Sequence, residues 1–201
     1  MKKFRITGVA TLFITAAVFF AAPMSAQTLT FNAQKSSILI KGDSNLHDWE
    51  LKASEVHGEA VVDATAKELK SLTVDLPVTA LKSDEGSMMD NQTYKVLKSD
   101  KNPKIVFKMT SVTSFSIGAD KTINATVAGT LSVAGTSGPV TVTATGKSSG
   151  ANSYVFTGTV PMKLTSLGIK PPTVLLGTLK VKDEISMEFS VVVDGISSSA
   201  L

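Results

Sequence analysis

Ile123-Asn124-Ala125-Thr126-Val127-Ala128-Gly129-Thr130-Leu131-Ser132-Val133 alternates without a break. Ile123, Ala125, Val127, Gly129, Leu131 and Val133 share one side, and Asn124, Thr126, Ala128, Thr130 and Ser132 the other. Period two is strand geometry, because successive side chains leave a pleated backbone on opposite faces. Ala134-Gly135-Thr136-Ser137-Gly138-Pro139 then reads as a turn, and Val140, Val142 and Ala144 resume the row. Strands joined by a short turn pair antiparallel, so this stretch predicts a hairpin in an all-β protein.

The same alternation runs outward in both directions. Toward the N-terminus it appears in Ser36–Ile40, in Val56, Gly58, Ala60 and Val62, in Leu72, Val74, Leu76 and Val78, and in Ile105, Phe107 and Met109. Toward the C-terminus it appears in Tyr154, Phe156, Gly158, Val160, Met162 and Leu164, and in Ile185, Met187, Phe189, Val191 and Val193. Ser116–Asp120 and Lys147–Asn152 supply further turns. About eight strands result, enough to close a barrel or build a sandwich. One segment differs. Met89, Thr93, Tyr94 and Leu97 fall on one face of a short helix between Ser87 and Lys98, with Ser87 as its cap, Asp90 as capping-box partner and Asn102-Pro103 beyond its end. Thr165–Lys180 is irregular, since Pro171-Pro172 cannot pair in a central strand, and its apolar Val174, Leu175 and Leu176 call for a packing surface such as a barrel mouth.

The N-terminus reads as a removable leader. Lys2, Lys3 and Arg5 precede an apolar run from Ile6 to Ala22, and Pro23-Met24-Ser25-Ala26 offers a small residue at the cut. Residues 1–26 are thus expected to be a signal peptide removed on export, and 27–201 a single mature domain. The chain has 20 Lys+Arg and 17 Asp+Glu, and three of the basic residues but no acid lie in the leader. The remainder is neutral and lacks arginine, which argues against nucleic acid as a partner. Absence of cysteine excludes disulfides, thiolate zinc sites and a cysteine nucleophile.

Chemistry-bearing motifs are scarce. The histidines are His47 and His57, near Asp48, Glu50, Glu55 and Glu59, but no spacing brings two imidazoles to one ion, so no metal site is expected. There is no nucleophile elbow and no Gly-rich nucleotide loop, so neither catalytic residues nor cofactors are expected. Gly58, Ala60, Ala125, Gly129, Ala144 and Gly158 fall on apolar faces. Such small residues either leave a ligand cavity or relieve strand curvature, and alternation does not choose between these.

The ordered set of local motifs resembles the YceI-like family. Ser87–Lys98 followed by Asn102-Pro103-Lys104-Ile105-Val106-Phe107 is similar to that family's helix and the strand after it. Ala128–Val140 is similar to its Gly-x-Leu…Pro-Val hairpin, and Leu46–Glu50 with Gly168–Thr173 resembles a branch carrying Leu-His-Asp-Trp and a Pro-Pro loop. Leu167 stands where an aromatic is common in that loop, and Ser166 where an acid is. The resemblance implies an eight-stranded antiparallel lipocalin-like barrel with one short helix near its mouth. It further implies a non-enzymatic protein of the periplasm, with secretion as the second choice, that binds or carries a polyisoprenoid or other long-chain amphiphilic lipid. On this reading Phe107, Met109, Val127, Gly129, Leu131, Phe156, Gly158, Val160, Met187 and Phe189 line the tunnel, and His47, Trp49 and Tyr94 stand at its mouth. Transient membrane contact and a homodimer are compatible with it. The rival is a filled β-barrel or sandwich serving as an envelope interaction module without a small ligand.

Overall fold

The computed structural model describes residues 26–63, 66–174 and 177–196. Nearly all of the proposed leader, together with Leu175 and Leu176 of the apolar loop, lies outside the described residues. The strands are β1 (Ala26–Thr30), β2 (Ser37–Ser44), β3 (Asp48–Ala53), β4 (His57–Asp63), β5 (Glu68–Pro77), β6 (Leu81–Ser83), β7 (Lys104–Ile117), β8 (Ile123–Val133), β9 (Thr136–Gly150), β10 (Ser153–Lys163), β11 (Thr173–Val174) and β12 (Leu179–Asp194). The single α-helix among the described residues is α1 (Ser87–Val96).

The sheet is antiparallel and runs β1-β4-β5-β7-β8-β9-β10-β12-β2-β3-β6, with β11 paired to β12. Eleven strands therefore stand along this path where alternation and resemblance gave eight. Three passes of the chain are each broken in two: β1/β2 at Phe31–Ser36, β3/β4 between Ala53 and His57, and β5/β6 at a 3-10 turn over Val78–Ala80. Each break bends the pass, and its two halves pair with the corresponding halves of the neighbouring pass. Phe31 accounts for the curl. Its N–H donates to Gly58 O at 2.9 Å, and it bridges Val193 of β12, so it joins β4 on one side to β12 on the other.

The β8–β9 turn is only Ala134-Gly135, both at positive φ (53° and 84°), as in the two-residue hairpin turns that match strand twist. Pro139, expected in that turn, instead pairs with Thr130 inside the β8–β9 ladder. It is tolerated because β9 pairs with β10 only over Thr145–Gly150, which leaves β9 one-sided at Pro139.

The ladder also lapses between β5 and β7. These pair from Thr73↔Lys108 to Pro77↔Lys104, and no pairing joins Glu68–Leu72 to Met109–Ile117. The β9–β10 lapse is filled. Thr136 Oγ1 donates to the Leu167 carbonyl, and Leu164, Leu167 and Ile169 are buried against the core there. No comparable turn lies in the β5–β7 lapse among the described residues.

The core occupies the inside of the curl. Ile38, Leu76, Phe107, Val127, Leu131, Ile185 and Val191 belong to one buried cluster. Tyr154 is fully buried, and its hydroxyl donates to Lys121 O at 3.3 Å.

Candidate functional site

Two chambers lie inside the curl. The one nearer α1 measures about 150 Å3 and the far one about 270 Å3. They share Ile38, Leu76, Ile105, Leu131 and Met187 as walls and so lie end to end along the interior. Polar side chains occur only at the ends. His47, Glu50, Ser83, Glu85, Gln92 and Thr93 stand at the α1 end, and Gln27, Asp63, Lys67 and Glu68 at the far end. A space walled by aliphatic and aromatic carbon offers water no partners and suits an apolar chain.

The alternating rows explain the lining. Phe107, Val127, Leu131, Phe156, Met187 and Phe189, all read from the sequence as tunnel residues, line the far chamber, and Leu131 and Met187 reach both. Met109, Gly129, Gly158 and Val160 do not line either chamber. Met109 lies opposite Gly129 and packs on the core, and Val160 is buried opposite Met187.

The glycines correct the argument from small residues. A Cβ on Gly129 would stand 2.3 Å from the Phe107 ring, and one on Gly158 would stand 2.3 Å from Thr143 O and 2.5 Å from the Phe189 ring. Gly58, Gly146 and Gly42 are likewise covered by Phe31, Phe156 and Trp49. These positions leave no free volume, because a neighbouring ring already occupies it. Free volume instead lies over Ala125 and Ala144, a cross-strand pair that lines the far chamber.

At the α1 end the expected mouth residues divide. His47 and Trp49 line the near chamber; Tyr94 does not. The Tyr94 hydroxyl accepts from Lys82 Nζ at 2.6 Å and points its proton at the Thr79 and Leu81 carbonyls, each 3.0 Å away. That bond, and then the Asp90 carboxylate, hold the Lys82 ammonium above its ordinary pKa. Tyr94 therefore fastens the helix to β6. Asp90 assists: buried, it accepts from Ser83 N–H at 2.7 Å and lies 3.4 Å from Lys82 Nζ. This displaces the expected capping box. Gly86, at φ 91°, is the N-cap, and no side-chain cap bond forms. Met89, Gln92, Thr93, Val96 and Leu97 present the helix's inner face to the near chamber.

Loops complete that end. Leu167, Ile169, Pro172 and Leu179 of the irregular stretch line the near chamber, beside Leu164 at the end of the preceding alternating row. His47 Nδ1 lies 2.8 Å from Asp48 O and 3.4 Å from Glu85 Oε1, so it ties the β2–β3 hairpin to the segment before α1. His57 Nε2 contacts Glu55 instead, at 3.0 Å. Among the described residues no three His, Asp or Glu side chains gather to hold a metal ion.

The lining residues missing from the expected tunnel set come partly from interrupted strands and loops and partly from intact strands, as with Ile105, Ala125, Val142 and Val191. Phe31 lies in no alternating row, and Ile38, Ile40 and Leu51 line the near chamber from strands bent by the breaks. Leu167 was noted only for differing from the family's common aromatic.

Comparison with known proteins follows this geometry. The fold is similar to that of Burkholderia cenocepacia BcnA, with a TM-score of 0.64, 20% identity, and 81% of this chain and 98% of that one covered. It is also similar to a polyisoprenoid-binding domain from Saccharophagus degradans implicated in plant cell wall breakdown, with a TM-score of 0.67, 8% identity, and 83% and 98% covered. A Campylobacter jejuni YceI protein matches with a TM-score of 0.54 and 16% identity, over 96% of this chain and 98% of its own. No curated protein is similar enough in sequence to count as a match. At these identities the structures establish the fold, while the YceI-like domain model matches residues 28–193 in sequence, so the chain belongs to the YceI-like family.

Proposed function

We propose that this protein binds and carries a single long-chain amphiphilic lipid, a polyisoprenoid in the first instance, with the chain in the two chambers and the head group at one end. The observation that carries this reading is a pair of adjoining apolar chambers with polar side chains only at their outer ends. Burial of each methylene there stabilises a complex by about 0.8 kcal/mol, so a long tail supplies affinity without any directed polar contact. The Saccharophagus relative is described as a polyisoprenoid-binding domain, which agrees in ligand class. The reading includes export through residues 1–26, action in the periplasm, and no catalysis of its own.

Native mass spectrometry of the protein isolated from its own cells, followed by organic extraction, tests it. A bound lipid of defined mass is the expected result. A clean apoprotein that takes up no added polyisoprenoid would sink the proposal in favour of a protein-interaction module.

A further inference from the structure

The two ends of the cavity are bounded by very different means. At the α1 end, the Asp90–Ser83 bond, the Tyr94 hydroxyl and the His47–Glu85 contact fasten helix and hairpin. Asn45 adds two more bonds around the start of β12, donating from Nδ2 to Thr178 O at 3.0 Å and accepting from Lys180 N–H at 2.5 Å. Opening that end breaks these bonds together.

At the far end the β5–β7 ladder stops at Thr73↔Lys108. Phe115 of β7 lines the far chamber and is still 37% exposed, and Lys67 and Glu68 at the start of β5 also line it while exposed. The chamber wall thus reaches solvent where no ladder bond stands. The β7 side of the lapse, Met109-Thr110-Ser111-Val112-Thr113-Ser114-Phe115-Ser116-Ile117, carries no charge and no proline. An apolar chain sliding past it strips no ion of its water.

Resting on the lipid-binding reading, we infer that the lipid chain loads through this β5–β7 seam into the far chamber, and not by displacement of α1. Parting the seam breaks no backbone ladder, whereas lifting the helix exposes a buried carboxylate and several backbone groups. The larger chamber lies directly behind the seam, and the near chamber receives the distal end of the chain.

The absence of cysteine makes a test clean. Ser71→Cys with Thr110→Cys places one thiol on each lip, a step beyond the last ladder pair, and the pair is closed by oxidation or by a short thiol-to-thiol crosslinker. The probe is cis-parinaric acid, a fluorescent fatty acid whose uptake is followed by energy transfer from Trp49, the one tryptophan. Closing the seam is expected to slow uptake at least about tenfold, because loading then requires a further conformational change. Reduction, or omission of the crosslinker, restores the rate. Asp90→Ala, which loosens α1, is expected to leave the rate within about twofold. Equal rates for the open and closed seam, or faster uptake by Asp90→Ala, overturn the route while leaving lipid binding intact. No uptake by the open form overturns the binding reading and the route with it.

Discussion

Gly129 and Ala144 look alike in the alternation, yet they occupy opposite situations. A side chain at Gly129 meets the Phe107 ring and the Lys108 carbonyl within 2.6 Å, whereas Ala144 faces the far chamber. Gly129→Leu is therefore predicted to destabilise the fold by overpacking, about 1–3 kcal/mol in denaturant titration. Ala144→Phe is predicted to keep its unfolding midpoint and lose lipid uptake, because its ring fills existing volume. An Ala144→Phe variant that binds lipid as well as the parent would show that the occupant does not use the far chamber. The row that contains these residues is legible from sequence. Which of its small members is covered by an aromatic ring is not, because that depends on rings from a neighbouring strand.

At the scale of elements, α1 shows how a helix too short to persist alone is held in place. Its face toward the near chamber mixes Met89, Val96 and Leu97 with Gln92 and Thr93, and its attachment runs through Asp90 and Tyr94 to β6. Asp90→Ala leaves the Ser83 N–H unpaired and is predicted to cost about 1–3 kcal/mol. Amide hydrogen exchange should localise the loss, with α1 protection falling first and β8–β9 protection changing least. Uniform loss across the sheet would mean instead that α1 is part of the global folding unit. The helix itself was readable from spacing. Its cap and its fastening were not, because Gly86, Ser83 and Lys82 acquire their roles only where β6 meets the helix.

For the whole molecule, empty apolar volume is a cost. At roughly 24 cal/mol per Å3, a vacant far chamber forfeits on the order of 6 kcal/mol, comparable to the net stability of a domain. Lipid loading is accordingly predicted to raise the melting temperature relative to extracted protein, by about 5–10 °C when ligand is near a hundredfold over its Kd. Scanning calorimetry before and after extraction checks this, and unchanged melting would contradict a ligand-filled interior.

Acid stability follows from the carboxylates. The Thr165 hydroxyl and N–H hold Asp183 below the usual aspartate range, the Asn32 amide does the same for Asp194, and Lys182 for Asp43. A depressed folded pKa gives stability that is present above the ordinary aspartate value and lost as pH falls through the lowered one. Melting should thus be level near neutrality and fall below about pH 4, and Asp183→Asn should flatten that fall. An acid limb unchanged by Asp183→Asn would remove that group from the explanation.

The sequence by itself determined an all-β antiparallel chain, the position of one short helix, the family resemblance and the alternating rows from which most far-chamber side chains come. Alternation is a local property, and a strand's two faces are set by its own residues. Tertiary structure alone decided that three passes break to give eleven strands, that glycine space is filled by rings, and that the β9–β10 ladder lapses where a turn plugs it while the β5–β7 ladder lapses without such a turn. These depend on how far apart strands stand when a sheet curls back to Phe31 and Val193, a distance that no single strand's residues encode.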